Sequence, residues 1–72
     1  MTASSTVVIQ VNGEPREALA GTTVSALLGH MNLNLARIAV EYNRSILPRD
    51  RWTETTISAG DQFEIVQFVG GG

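Results

Sequence analysis

Apolar positions fall into short blocks with two different periods. In Thr6–Val11 (TVVIQV), β-branched residues dominate, and Val7, Ile9 and Val11 share one face at period two, which predicts a strand. Asn12-Gly13 follows directly and supplies the two positive-φ positions of a type I′ hairpin turn. Arg16–Leu19 is then the returning strand, with Pro15 at its start. Gly21-Thr22-Thr23 breaks it. After the break Val24, Leu27, Leu28 and Met31 recur at i, i+3, i+4 and i+7, one apolar stripe of a helix. Thr22 or Thr23 is the expected N-cap, and Asn32 or Asn34 the expected end.

The second half repeats the strand period. Ile38–Tyr42 reads as a strand closed by Asn43-Arg44. Ile46-Leu47-Pro48 is short and extended, because a residue before proline avoids the helical region. Pro48–Trp52 reads as one helical or 3₁₀ turn, Thr55–Ile57 as a short strand, and Gln62–Phe68 as the last strand. The first and last strands are rich in Val, Ile and Phe, which places both at the sheet centre. One amphipathic helix laid on one face of a mixed sheet, with a short helical turn, is a two-layer α+β design. A single domain over 1–67 is expected, followed by a glycine tail over 68–72.

Composition narrows the chemistry. The 72 residues suffice for one core, and 43% hydrophobic content with 17% charged excludes a disordered tail. A net charge of −2 offers no footprint for nucleic acid or an anionic membrane. No Cys is present, so disulfides, thiolate zinc and a cysteine nucleophile are excluded. The single histidine, His30, rules out a multi-His metal site. All five cations are arginines, Arg16, Arg37, Arg44, Arg49 and Arg51, so no lysine chemistry is available. Without a basic leader or a long apolar run, the expected setting is soluble and cytoplasmic.

The chemistry-bearing feature is Gly70-Gly71-Gly72, which follows a strongly patterned strand. Glycines lose the most entropy on ordering and pack nothing, so they have no use in so small a fold. A frayed terminus is the bland alternative. The functional reading is a carboxylate on a thin arm, since Phe68–Gly72 extended reaches about 16–18 Å. Such an arm threads a channel that any Cβ would block. The Gly72 α-carboxylate is ionised at neutral pH and is a poor electrophile, so it needs activation, for example as an acyl-adenylate. The chain has neither a P-loop nor a G-x-G-x-x-G motif, so no cofactor of its own is expected. A partner has to bring ATP and magnesium.

The ending Glu64–Gly72, the run Pro48-Arg49-Asp50-Arg51-Trp52, the Gly60-Asp61 turn, the Val11–Glu14 hairpin and the helix start Thr23-Val24…Leu27-Leu28 together resemble the ThiS family. These are thiamine-biosynthesis sulfur carriers of the ubiquitin-like β-grasp fold. The resemblance spans about Val7 to Gly72. It implies that an E1-like adenylyltransferase of the ThiF type adenylates Gly72. Sulfur from a persulfide enzyme then yields a thiocarboxylate, which serves thiazole synthase of the ThiG type. It implies a carrier acted on by enzymes, with no catalytic residue of its own. Asn43-Arg44 stands where the family pattern leads us to expect Asn-Gly, and three glycines stand where two suffice.

Around this arm, Val69, Gly70 and Gly71 are expected to thread the partner's active site. Val66 and Phe68 share one strand face by parity, opposite Phe63 and Ile65, and form a candidate docking patch. His30 is expected to face solvent near the helix C-terminus. Trp52 and Leu47 are assigned to a minor core under the long loop, and Arg44, Arg49 and Arg51 to a solvated face. Two other readings stay open: a carrier of another sulfur pathway, such as the small subunit of a molybdopterin synthase, and a noncovalent β-grasp module with inert glycines.

Overall fold

The hairpin predicted at Asn12-Gly13 forms, and a second one closes at Asn43-Arg44. In the computed structural model, which describes residues 5–68, β1 (Thr6–Val11) pairs antiparallel with β2 (Glu14–Leu19), and β3 (Ile38–Tyr42) with β4 (Ser45–Ile46). The helix α1 (Val24–His30) links the two hairpins. The last strand, β5 (Gln62–Gln67), enters between them, parallel to β1 and antiparallel to β3. The resulting sheet order is β2-β1-β5-β3-β4, so β5 is central and β1 its neighbour, as the apolar content of these two strands required. Mixed sheet and single helix are the arrangement expected of a β-grasp.

The inner sheet face and α1 enclose one core. Ile9 and Val11 of β1, Phe63 of β5 and Ile38 and Val40 of β3 meet Val24, Leu27 and Leu28 of the helix. The expected stripe is therefore buried, with Met31 half-buried at its end. Trp52 joins this same cluster, and Leu47 packs against it. A separate minor core does not form: the Trp52 indole reaches the main core and spends its polar end on the Leu47 carbonyl, 3.1 Å away.

Local chemistry sets the helix ends. Thr23, not Thr22, is the N-cap, its hydroxyl accepting from the Ala26 N–H at 3.1 Å. Asn32 takes the left-handed position just past the helix, with φ of 58°. Asn34 instead caps a short 3₁₀ turn, Leu35–Arg37, by accepting from the Ala36 N–H. The sequence reading missed this turn.

Three boundaries differ from expectation. The returning strand starts at Glu14 and carries Pro15 inside it. Pro15 faces Gln10, whose N–H is directed the other way, to the Asp61 carbonyl. The pair is thus not hydrogen-bonded, and the missing proline donor falls on the free edge. Thr55–Ile57 makes only an isolated bridge, Thr23 to Thr56. Its backbone is committed to the helix start instead: Val24 N–H donates to the Thr55 carbonyl and Ile57 N–H to the Thr22 carbonyl. Last, β5 ends at Gln67, one residue before Phe68.

Candidate functional site

The strand leading to the glycines is held on both sides by the first residue of each hairpin turn. Asn12 and Asn43 have φ of 53° and 51°, values that asparagine tolerates better than most residues. On the β1 side, the Asn12 N–H donates to the Phe63 carbonyl at 2.8 Å, and its Oδ1 accepts from the Ile65 N–H at 2.7 Å. On the β3 side, the Asn43 N–H donates to the Gln62 carbonyl, and its Oδ1 accepts from the Gln62 N–H, both at 2.8 Å. Each asparagine therefore closes a turn and extends the ladder of β5 with a side-chain amide. Arg44 takes φ of 75°, so the second turn adopts the left-handed pair without glycine.

Asp61 fixes the start of the same strand. It is the one buried charged residue among those described. Its carboxylate accepts from the Ser58 N–H at 2.7 Å and from the Asn43 side-chain amide at 3.2 Å. Tyr42 stands beside it, with its ring 5.2 Å from that of Phe63. Burial raises the Tyr42 hydroxyl above its ordinary pKa, and the Asp61 carboxylate raises it further by hydrogen bonding and by charge.

At its far end β5 presents the predicted patch. Phe63 and Ile65 point toward α1, one buried and one half-buried, while Val66 is 57% and Phe68 54% exposed. Val8, Leu19 and Ile46 are also at least half exposed; the register puts these three and Val66 on the outer face, away from the helix, while Phe68 follows the end of β5. On that face Ile46 lies opposite Glu41, Glu41 opposite Glu64, and Ala39 opposite Val66. The sequence places the tail from Phe68 onward, and the Phe68 N–H still donates to the Arg37 carbonyl at 2.7 Å. Val69, Gly70, Gly71 and Gly72 lie outside the described residues.

The remaining candidates take structural roles. His30 is exposed in the last turn of α1. Arg51 is solvated and pairs loosely with Glu54 at 3.7 Å. Arg49 is exposed, as expected, but its side chain is also engaged. Its guanidinium lies 4.7 Å from the centre of the Trp52 ring and donates to the carbonyls of Leu35 and Ile38. It thereby ties its own 3₁₀ turn, Arg49–Arg51, to the turn Leu35–Arg37. The signal was present in the R-x-x-W spacing, which one short turn brings face to face.

The ThiS family's sequence model matches residues 9–72, the sheet, the helix and the glycines together. The chain belongs to the ThiS family. Family relatives agree in extent: the sulfur carrier protein ThiS of Escherichia coli strain K12 is 33% identical over 64 residues, 89% of this chain and 97% of the relative. The crystal structure of a thiamine biosynthesis protein (ThiS) from Geobacter metallireducens superimposes with a TM-score of 0.79 at 30% identity, covering 92% of this chain and all of the other. That likeness makes the fold the ubiquitin-like β-grasp of the ThiS family. A thiazole synthase of Paramagnetospirillum magneticum is 42% identical over 62 residues. The chain spans only about a fifth of that protein, 19% of its length. No helix among the described residues is long and apolar enough to cross a membrane.

Proposed function

We propose that this chain is a sulfur carrier of thiamine biosynthesis that works through the α-carboxylate of Gly72. The observation that carries the reading is the reach of the family match, which runs through Gly70, Gly71 and Gly72 and is not confined to the folded body. The body supports it. The last strand is central and fixed by Asn12, Asn43 and Asp61, and the outer sheet face carries the exposed Val66.

In this reading the chain is a substrate of other enzymes. A carboxylate resists nucleophilic attack because its negative charge is delocalised, and adenylation removes that charge. The Gly72 carboxylate attacks the α-phosphate of ATP bound with magnesium on an adenylyltransferase of the ThiF type, and pyrophosphate leaves. A persulfide sulfur then attacks the acyl carbon and AMP departs. Reduction of the S–S bond by a thiol leaves the C-terminal thiocarboxylate. Val69, Gly70 and Gly71 thread the enzyme's channel, and Val66 and Phe68 dock on its surface. The thiocarboxylate is consumed by thiazole synthase of the ThiG type. The matching segment within thiazole synthases of two bacteria supports that partnership. Dependence on cellular ATP places the work in the cytoplasm.

Intact-mass spectrometry tests the proposal. After incubation with ATP, magnesium, the adenylating enzyme and a persulfide donor, the chain gains the mass difference of one oxygen exchanged for one sulfur. No gain with a functional cognate activator favours an inert interaction module. Thiamine auxotrophy on deletion supports the thiamine pathway, whereas loss of molybdenum-enzyme activity instead supports the molybdopterin type.

A further inference from the structure

The backbone of β5 is held unevenly along its length. Its first half is bonded from both sides: Asn43 holds Gln62, and Asn12 holds Phe63 and Ile65. The pairing with β1 stops at Phe63, and the Asn12 side chain carries it only as far as Ile65. Among the described residues, the backbone of Val66, Gln67 and Phe68 is held from the β3 side alone. The holding contacts are the pairs Ala39–Val66 and Ile38–Gln67 and the Phe68 N–H to the Arg37 carbonyl at 2.7 Å. Whatever fixes the segment Leu35–Ile38 therefore fixes Phe68, the residue from which Val69 and the glycines continue in sequence.

Arg49 holds that segment. Its guanidinium donates to the Leu35 carbonyl and, at 3.4 Å, to the Ile38 carbonyl, which bracket Arg37 in the chain. The Trp52 ring beneath it is a fixed seat, because Trp52 is buried in the core and its indole N–H is used on the Leu47 carbonyl. An exposed arginine loses side-chain freedom when a ring and two carbonyls hold it. Arg51, equally exposed, makes only the loose contact with Glu54. We propose that Arg49 is a positioning residue of the carrier: seated on Trp52, it clamps the Leu35–Ile38 backbone and so sets the direction in which the chain leaves the sheet at Phe68. This rests on the carrier reading above and adds to it a residue outside β5 that governs the aim of the arm. The role needs a planar fork that reaches two acceptors while stacked on a ring, which an ammonium does not supply.

Amide hydrogen exchange followed by NMR, together with adenylation kinetics, tests it on the full chain. Arg49→Lys keeps the cation and loses the fork. In this variant the Phe68 amide exchanges about tenfold faster, while the Ile65 amide, held by Asn12, keeps its rate. With the adenylating enzyme, kcat falls about tenfold and KM stays within about twofold. The docking residues Val66 and Phe68 are retained, but fewer bound chains present the carboxylate in a reactive position. Arg49→Ala, which also loses the ring contact, shows the same pattern with a lower melting temperature. Wild-type exchange at Phe68 in Arg49→Lys overturns the proposal. So does an equal acceleration at Phe68 and Ile65, which marks general destabilisation, and so does a kcat within about twofold of wild type. If the wild-type chain is itself not adenylated by a functional cognate enzyme, the carrier reading fails instead, and Phe68 exchange still decides whether Arg49 clamps the exit.

Discussion

Asn12 and Asn43 each do two things that a turn residue need not do together. Their positive φ is a conformational role that glycine fills as well or better, whereas the Oδ1 bonds to Ile65 and Gln62 belong to the side chain. Replacement by glycine separates the two. Asn12→Gly and Asn43→Gly each lower unfolding free energy by about 1 kcal/mol, measured by urea titration, although both keep the turn. Tyr42 adds a pH signature. Its proton is held more tightly in the folded chain than in the unfolded one, because of burial and then Asp61. The unfolded state therefore binds fewer protons in the alkaline range, and stability falls as pH rises through and beyond about 10, the ordinary tyrosine value. Below that pH the contribution is complete. Tyr42→Phe flattens the alkaline limb of a stability–pH curve, and an unchanged limb assigns it to other groups.

At the scale of elements, α1 is short and leans on its neighbours. It has only seven residues, too few to be stable alone, and its first-turn N–H groups are taken by Thr55, Trp52 and Thr23. Gly29 is its weak point, and a Cβ there meets nothing within 4 Å. Gly29→Ala stabilises the chain by about 0.5–1 kcal/mol, read as a rise in melting temperature. The stripe Val24, Leu27, Leu28 was legible because a helix has one period and one buried side. Thr55–Ile57 was misread for the opposite reason. Its β-branched residues predict a strand, but three residues cannot choose their partner, and the nearest unsatisfied donors were those of the helix start. Arg49 is exposed as expected, but its contacts were not legible, because charge alone does not show whether an aromatic ring and two carbonyls lie within reach of the side chain.

For the whole molecule, the division is between a covered face and an uncovered one. The inner face is closed by α1 and the return connection, while Val8, Leu19, Ile46 and Val66 remain exposed on the outer face and Phe68 is exposed just past β5. Because Val66 and Phe68 contribute little to the core, the Val66→Ser/Phe68→Ser variant keeps its melting temperature to within a few degrees. The same variant binds the adenylating enzyme at least about tenfold more weakly. A collapse in melting temperature contradicts a surface role. The sequence by itself determined the strand and helix periods, both Asn-led turns, the parity that turns Val66 outward, and the run of glycines after the last strand. These follow from local sterics and from alternation along one chain. Tertiary structure alone decided that Asn12, Asn43 and Asp61 converge on β5, that Glu41 faces Glu64, and that Trp52 and Arg49 join the main body. Those relations depend on how β5 enters between two hairpins, and no local pattern encodes which distant residues that insertion brings together.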